Sequence, residues 1–202
     1  MFFSRFHRII LYISITGLLA ALILLAGAWV YKNAAPAPMP QVAIGATFNL
    51  TNQDGMNVTQ DTFKGKPFLV FFGFTHCPDV CPTGLATITA ALKALPTEQQ
   101  GAIVPIFITV DPARDTQAVL KEYLAAFHPS FVGLTGSEGA IKAVLNGYRA
   151  YASPSAATVG QEDYLMDHSA IIYWMDAQGQ FVRFFSGDTS AAEITAALTA
   201  GL

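Results

Sequence analysis

Two cysteines in 202 residues are too few to staple a fold, and they stand only four positions apart, at 77 and 81. The chain must therefore be held by an apolar core, and a pair this close in an exported protein is a working site before it is a structural disulfide. Charge is also scarce. Only 12% of residues are Asp, Glu, Lys or Arg, while 52% are hydrophobic; soluble domains usually carry about 25% charged residues. Beyond Lys32 there are eight Lys and Arg against fourteen Asp and Glu, a net of six negative charges. With no basic stripe, nucleic acid is excluded as a partner class. There is no internal repeat, and no Arg- and Ser-rich transit segment precedes the first apolar run.

That run explains much of the apolar excess. Residues 9–31 hold no charge at all, and at about 1.5 Å per residue a helix of this length crosses the ~30 Å hydrocarbon core. Arg5 and Arg8 precede it and Lys32 follows, so the positive-inside rule places residues 1–8 in the cytoplasm and the rest outside. Trp29 and Tyr31 stand where an aromatic belt belongs. A cleaved signal peptide is the rival, since Ala26-Gly27-Ala28 resembles a cleavage site, but the apolar run is long for that and continues past it. The expected organisation is a cytoplasmic 1–8, a transmembrane anchor 9–31, a Pro/Ala-rich linker 32–44 and one domain over 45–202. The location this implies is a bacterial inner membrane, single-pass, with the domain in the periplasm.

Hydropathy within the domain alternates between strand-like and helix-like stretches. Residues 46–60 read as two short strands around Asp54-Gly55. Phe68 to Phe74 and Ile103 to Val110 are continuous apolar runs of the buried, parallel kind. Helices are expected over 83–95, with Pro82 in the first turn, over 116–127, and from Ser137 to about Tyr148. A short strand is expected at 131–134. Residues 149–165 read as a long irregular loop. A hairpin over 169–175 and 180–185 turns at 176–179, and Ser190 with Glu193 forms a capping box for a last helix. Strands alternating with helices imply an α/β domain with a mostly parallel sheet covered on both faces. This is a thioredoxin-like fold with an N-terminal hairpin extension and an insert.

The chemistry concentrates in Phe74-Thr75-His76-Cys77-Pro78-Asp79-Val80-Cys81-Pro82, between a buried strand and a helix. Free N–H groups and partial positive charge at a helix start lower thiol pKa values, which suits both redox and metal chemistry. Thioredoxin-like oxidoreductases separate their cysteines by two residues; here there are three, which lets both sulfurs face one ion. Soft thiolates favour Cu(I) or zinc, and two sulfurs leave a site incomplete. Of the four histidines, His7 precedes the apolar run, His128 ends a helix before Pro129, and His76 points away from its neighbour Cys77 if the segment is extended. His168 remains, just before the hairpin and opposite the cysteine motif in a fold of this kind. No proline occurs in 165–170, where oxidoreductases of this fold carry one. Asp79 reads as a loop carboxylate or a tuner of the thiols. Asp111-Pro112 and Arg114-Asp115 read as turn and capping residues, Asp167 as an orienter of His168, Met166 as a core residue or soft ligand, and Glu162, Asp163 and Asp167 as a solvated loop or an acidic partner surface.

The chain resembles the Sco/SenC family of copper-binding proteins. The resemblance rests on residues 73–82, on Val110-Asp111-Pro112-Ala113-Arg114-Asp115-Thr116, and on Asp167-His168-Ser169 before an apolar strand, and it extends over about 42–202. It implies that Cys77, Cys81 and His168 are copper ligands, for Cu(I) and also Cu(II). The role implied is a chaperone, not an enzyme, delivering copper to the binuclear copper centre of cytochrome c oxidase. The partners implied are the copper-centre subunit of that oxidase and other periplasmic copper carriers or thiol reductants. The competing role is a membrane-anchored thiol-disulfide reductase acting on the cysteines of that centre through Cys77 and Cys81. A peroxide scavenger is disfavoured, since neither cysteine sits in a peroxide-activating motif.

Overall fold

The computed structural model describes residues 2–33, 43–161 and 163–202, the side chains of 2–14, 30 and 33 excepted. Most of the expected linker, and Glu162, lie outside the described residues. The chain divides into two compact units, Met1–Val42 and Ala43–Leu202. The first contains helix α1, Phe2–Asn33. Among the described residues no helix is long and apolar enough to cross a membrane.

The second unit is an α/β domain built on a seven-stranded sheet. In chain order its elements are β1 (Asn49–Asn52), β2 (Asn57–Thr59), β3 (Phe68–Gly73), α2 (Val80–Lys93), β4 (Val104–Thr109), α3 (Gln117–Leu124), β5 (Val132–Thr135) and α4 (Glu138–Tyr148). Then come β6 (Ala152–Pro154), β7 (Met166–His168), β8 (Ile171–Met175), β9 (Phe181–Ser186) and α5 (Ala191–Gly201). The sheet order is β2-β1-β5-β4-β3-β8-β9. β3, β4 and β5 run parallel, and the two hairpins pair antiparallel on either flank.

The central strand shows why this sequence closes into layers. Every residue of β3 is buried, because alternate side chains meet helices on opposite faces. Phe71 packs on Phe107, which meets Tyr123 of α3, and Gly84 of α2 lies against the Phe71 ring. Phe72 points the other way, edge-on to Tyr148 of α4 and Tyr173 of β8. Each such ring contributes about 1.5–3 kcal/mol of burial. Thr116, not Asp115, caps α3, and the caps of α4 and α5 lie where they are expected. Thr116, Ser137 and Ser190 accept from the backbone N–H three residues on, and Glu193 returns a bond to Ser190.

Two expectations need correction. Helix α2 starts at Val80, so Cys81 and Pro82 both lie within its first turn. Proline is tolerated there because first-turn N–H groups have no intrahelical partner. The segment 149–165 is also not wholly irregular. Ala152–Pro154 pairs antiparallel with Met166–His168 as a separate two-stranded sheet. Its polar composition hides a strand whose partner lies beyond the loop.

Strand β3 ends at Gly73, where the chain must pass close under the start of α2. A methyl group added at Gly73 would stand 2.6 Å from Cys81 Sγ and 2.8 Å from the Phe107 ring. Gly73→Ala is therefore expected to cost about 1–3 kcal/mol by overpacking, measured as a lowered midpoint in chemical denaturation of the metal-free chain. A wild-type midpoint would show that the two elements part more easily than their packing implies.

Candidate metal centre

The loop between β3 and α2 is held from beneath by one carboxylate. Asp115 is fully buried. It accepts from the Thr75 hydroxyl at 2.6 Å, the Thr109 hydroxyl at 2.6 Å and the Thr75 backbone N–H at 3.1 Å. Burial raises its pKa, and the threonine hydrogen bonds oppose that rise. The capping role expected of Asp115 is thus replaced by a bracing one: it ties the end of β4 to the residue two before Cys77. Asp111, also buried, carries a second set of contacts. It pairs with Arg114 Nε at 2.5 Å and accepts from the Tyr164 hydroxyl at 2.8 Å.

The two cysteines differ in setting. Cys77 is half-buried, and its Sγ accepts from the Cys81 backbone N–H at 3.4 Å, the first-turn donor of α2. Cys81 is fully buried against the core, and both thiols are free. The helix-start argument predicts lowered thiol pKa values, but at Cys81 the opposite holds. Burial pushes this thiol far up, outweighing the backbone hydrogen bond from Phe74, and the charge of Cys77 adds to the rise. Solvent exclusion at the base of the helix outweighs the helix field there.

His168 completes the group. Its Nε2 lies 3.3 Å from Cys81 Sγ, and its Nδ1 lies 3.2 Å from the Ser169 carbonyl. The carbonyl can only accept, so the ring proton sits on Nδ1 and the Nε2 lone pair faces the cysteines. Phe71 and Phe74 hold the ring edge-on, at 6.3 and 5.9 Å between centroids. Burial lowers the His168 pKa, which keeps the imidazole neutral near pH 7. Cys77, Cys81 and His168 each offer one donor atom, and the three atoms lie within 4.8 Å of one another; among the described residues no other such group of His, Cys, Asp and Glu forms. Two sulfurs and one neutral imidazole form a donor set for a soft or borderline ion. The proton that Cys81 shares with His168 is what an entering cation would displace.

The other candidates fall away from this centre. His76 is exposed, and its Nδ1 lies 3.1 Å from Thr75 Oγ1. His128 contacts Ser130 Oγ at 2.7 Å, and burial lowers its pKa. Asp79 is exposed at the start of α2. Asp167 does not orient His168: strand alternation on β7 turns its side chain to solvent, and Ser169 supplies the acceptor instead. Met166 shares the His168 side of β7 but packs on the core. Tyr164 has no counterpart among the sequence candidates. Its signal was a large aromatic side chain in a polar loop, four positions before His168.

The contrast between the cysteines is open to direct measurement. In the metal-free, reduced chain at neutral pH, iodoacetamide is expected to modify Cys77 and to spare Cys81, which is 0% exposed and remains a thiol. Peptide mapping by mass spectrometry reads the ratio. Equal labelling would mean that the helix start opens readily in solution.

Known proteins match this chain across nearly the whole domain. The SCO1/SenC family model matches residues 36–202. Protein SCO2 of Saccharomyces cerevisiae mitochondria is 45% identical over 141 residues, 70% of this chain and 47% of the yeast protein. A SCO2-like protein of Rickettsia felis is 42% identical over 153 residues, 76% of this chain and 74% of that one. Among solved structures, Bradyrhizobium japonicum ScoI with copper bound superposes with a TM-score of 0.72 at 46% identity, covering 79% of this chain and all of that one. With the family match spanning the sheet, both cysteines and the histidine, the chain belongs to the SCO1/SenC family.

Proposed function

We propose that this protein is a membrane-anchored copper carrier that takes the ion on Cys77, Cys81 and His168 and delivers it to the binuclear copper centre of cytochrome c oxidase. The observation that carries the proposal is the convergence of two thiols and one neutral imidazole within 4.8 Å, drawn from positions 87 residues apart. Copper is supported as the ion by the soft donor set and by the copper-bound ScoI of B. japonicum, a 46% identical relative. In this reading Cys81 forms the buried floor of the site, and half-buried Cys77 and His168 stand toward its open side. A thiol of the acceptor would approach on the Cys77 side, so the ion passes from sulfur to sulfur without entering water. Residues 9–31 serve as the anchor. The exposed, uniformly apolar surface of Leu18, Leu19, Leu22, Ile23, Leu24 and Leu25 on α1 supports that assignment. The domain then stands in the periplasm of a bacterial inner membrane, in reach of the oxidase subunit, of other copper carriers and of thiol reductants.

One observation favours a second role as a thiol-disulfide reductase. Cys77 sits on a helix start with a backbone N–H aimed at its sulfur, the arrangement of an attacking thiol, and Cys81 is close enough to resolve a mixed disulfide. Oxidation of the pair would also expel the ion, so the two roles use one site.

His168→Ala separates them. The variant is expected to keep a reducible Cys77–Cys81 disulfide while losing copper affinity by more than the ~10–100-fold typical of an indirect contact, read by competition with a Cu(I) chelator. Cys77→Ser and Cys81→Ser are expected to lose both properties. Wild-type affinity in His168→Ala would remove the histidine from the ligand set. Loss of copper with full oxidase activity in cells would favour the reductase. For the topology, an impermeant thiol reagent applied to intact spheroplasts after mild reduction is expected to label Cys77. Protection of Cys77 until lysis would reverse the orientation.

A further inference from the structure

We propose that Asp111, Arg114 and Tyr164 form a clamp that positions His168 against the two thiols and thereby sets how tightly copper is held. The proposal rests on the carrier role argued above. His168 is carried by β7, which among the described residues pairs only with β6, and this two-stranded sheet is separate from the seven-stranded sheet whose strand β3 leads into the cysteine loop. The third donor is therefore not registered to the other two by any shared ladder of hydrogen bonds. Beyond the short covalent step from His168 to β8, its place depends on side chains that cross between the two sheets.

Tyr164 makes the most directed of these crossings. Its hydroxyl donates to Asp111 Oδ1 at 2.8 Å, and the Arg114 guanidinium lies 3.6 Å above its ring. Arg114 is fixed in turn by its Nε bond to the other Asp111 oxygen. Asp111 itself follows β4, is 3% exposed, and donates its backbone N–H to Thr109 Oγ1 at 2.9 Å. The base of the clamp is thus part of the rigid sheet, and its jaw grips a loop residue.

Two routes lead from the jaw to the imidazole. Along the chain, Tyr164 is four residues before His168, at the entry to β7. Through space, Arg114 lies 5.9 Å from the Phe74 ring, and Phe74 meets His168 edge-on at 5.9 Å. The hairpin is also held by the short step from His168 to β8, by the Phe71 and Phe74 rings against His168, and by apolar contact of Met166 and Ala152 with the core. Such contact holds a strand against a surface but leaves it free to slide. A planar guanidinium on a ring, with a hydroxyl bonded to a buried carboxylate, has direction as well as strength. These residues are positioning residues: none of them reaches the donor atoms.

The test is a double-mutant cycle on the full chain in detergent, using Cu(I) alone as the probe in competition with a chelator. Tyr164→Ala is expected to weaken copper binding by about 10–100-fold, the range for residues that hold a ligand in place. Tyr164→Phe keeps the ring under Arg114 and is expected to weaken it less. The Cys77–Cys81 reduction potential is expected to stay at the wild-type value in both, because neither thiol is touched. With His168→Ala already present, Tyr164→Ala is expected to add nothing, since no imidazole remains to be misplaced. Wild-type affinity in Tyr164→Ala, with weakened binding in His168→Ala, would overturn the clamp and leave the carrier role standing. Equal losses from Tyr164→Ala with and without His168 would also overturn it, showing a general structural effect. Wild-type affinity in His168→Ala would remove the carrier ligand set, and the clamp with it. If Tyr164→Ala does not fold, the same cycle with Tyr164→Phe decides.

Discussion

The centre of this molecule depends on one buried carboxylate. Asp115 gathers three donors from two different strand ends, and without it the loop that presents Cys77 has no polar floor. An ionised group in a dry interior is costly unless its lone pairs are filled. Here Thr75 and Thr109 fill them, and their positions are thereby fixed to within hydrogen-bond tolerance. Everything above that floor inherits its place. Gly73 closes the gap between strand and helix, Cys81 drops into the core beneath the first turn, and Cys77 is left at the rim.

The domain divides labour between rigid and adjustable parts. The thiols belong to the β3–α2 junction, the most enclosed part of the fold, with aromatic rings on both faces of the strand that leads into it. The imidazole belongs to a small hairpin that touches the sheet mainly through side chains. Burial acts on the donors in opposite directions. It raises the Cys81 thiol and lowers the His168 imidazole, so both of these donors favour their uncharged forms. Neutrality lets these groups stay buried without a partner ion. It also means that a cation is taken up by exchange for protons rather than by attraction to standing charge.

Much of this was legible in the sequence, and the gaps have physical causes. The apolar runs of β3 and β4 read as buried strands because helices cover both faces and leave no polar side to alternate. The caps at Thr116, Ser137 and Ser190 were legible because capping is local. His168 was reached by elimination and by its place before the hairpin. The turn at Asp111–Asp115 was legible, but the buried side-chain contacts of Asp111, Arg114 and Asp115 were not. Their partners, Thr75 and Tyr164, lie 40 and 53 residues away, and spacing along one segment says nothing about such distances. The β6–β7 pairing was missed for the same reason, and the raised Cys81 thiol because a sequence shows the helix start but not the depth of burial beneath it.

The separation of 87 positions between Cys81 and His168 has a consequence for the order of events during synthesis. A chain emerging from its N-terminus displays the two thiols early, long before the strand with the imidazole has been made. Closing a loop of that size waits on the central sheet, since non-local contacts form only after the entropy of the intervening chain has been overcome. An unfinished or misfolded copy therefore presents a bare dithiol, open to oxidation. Only a copy that has folded to its last hairpin presents all three donors, so the completed site is itself a report that folding has finished.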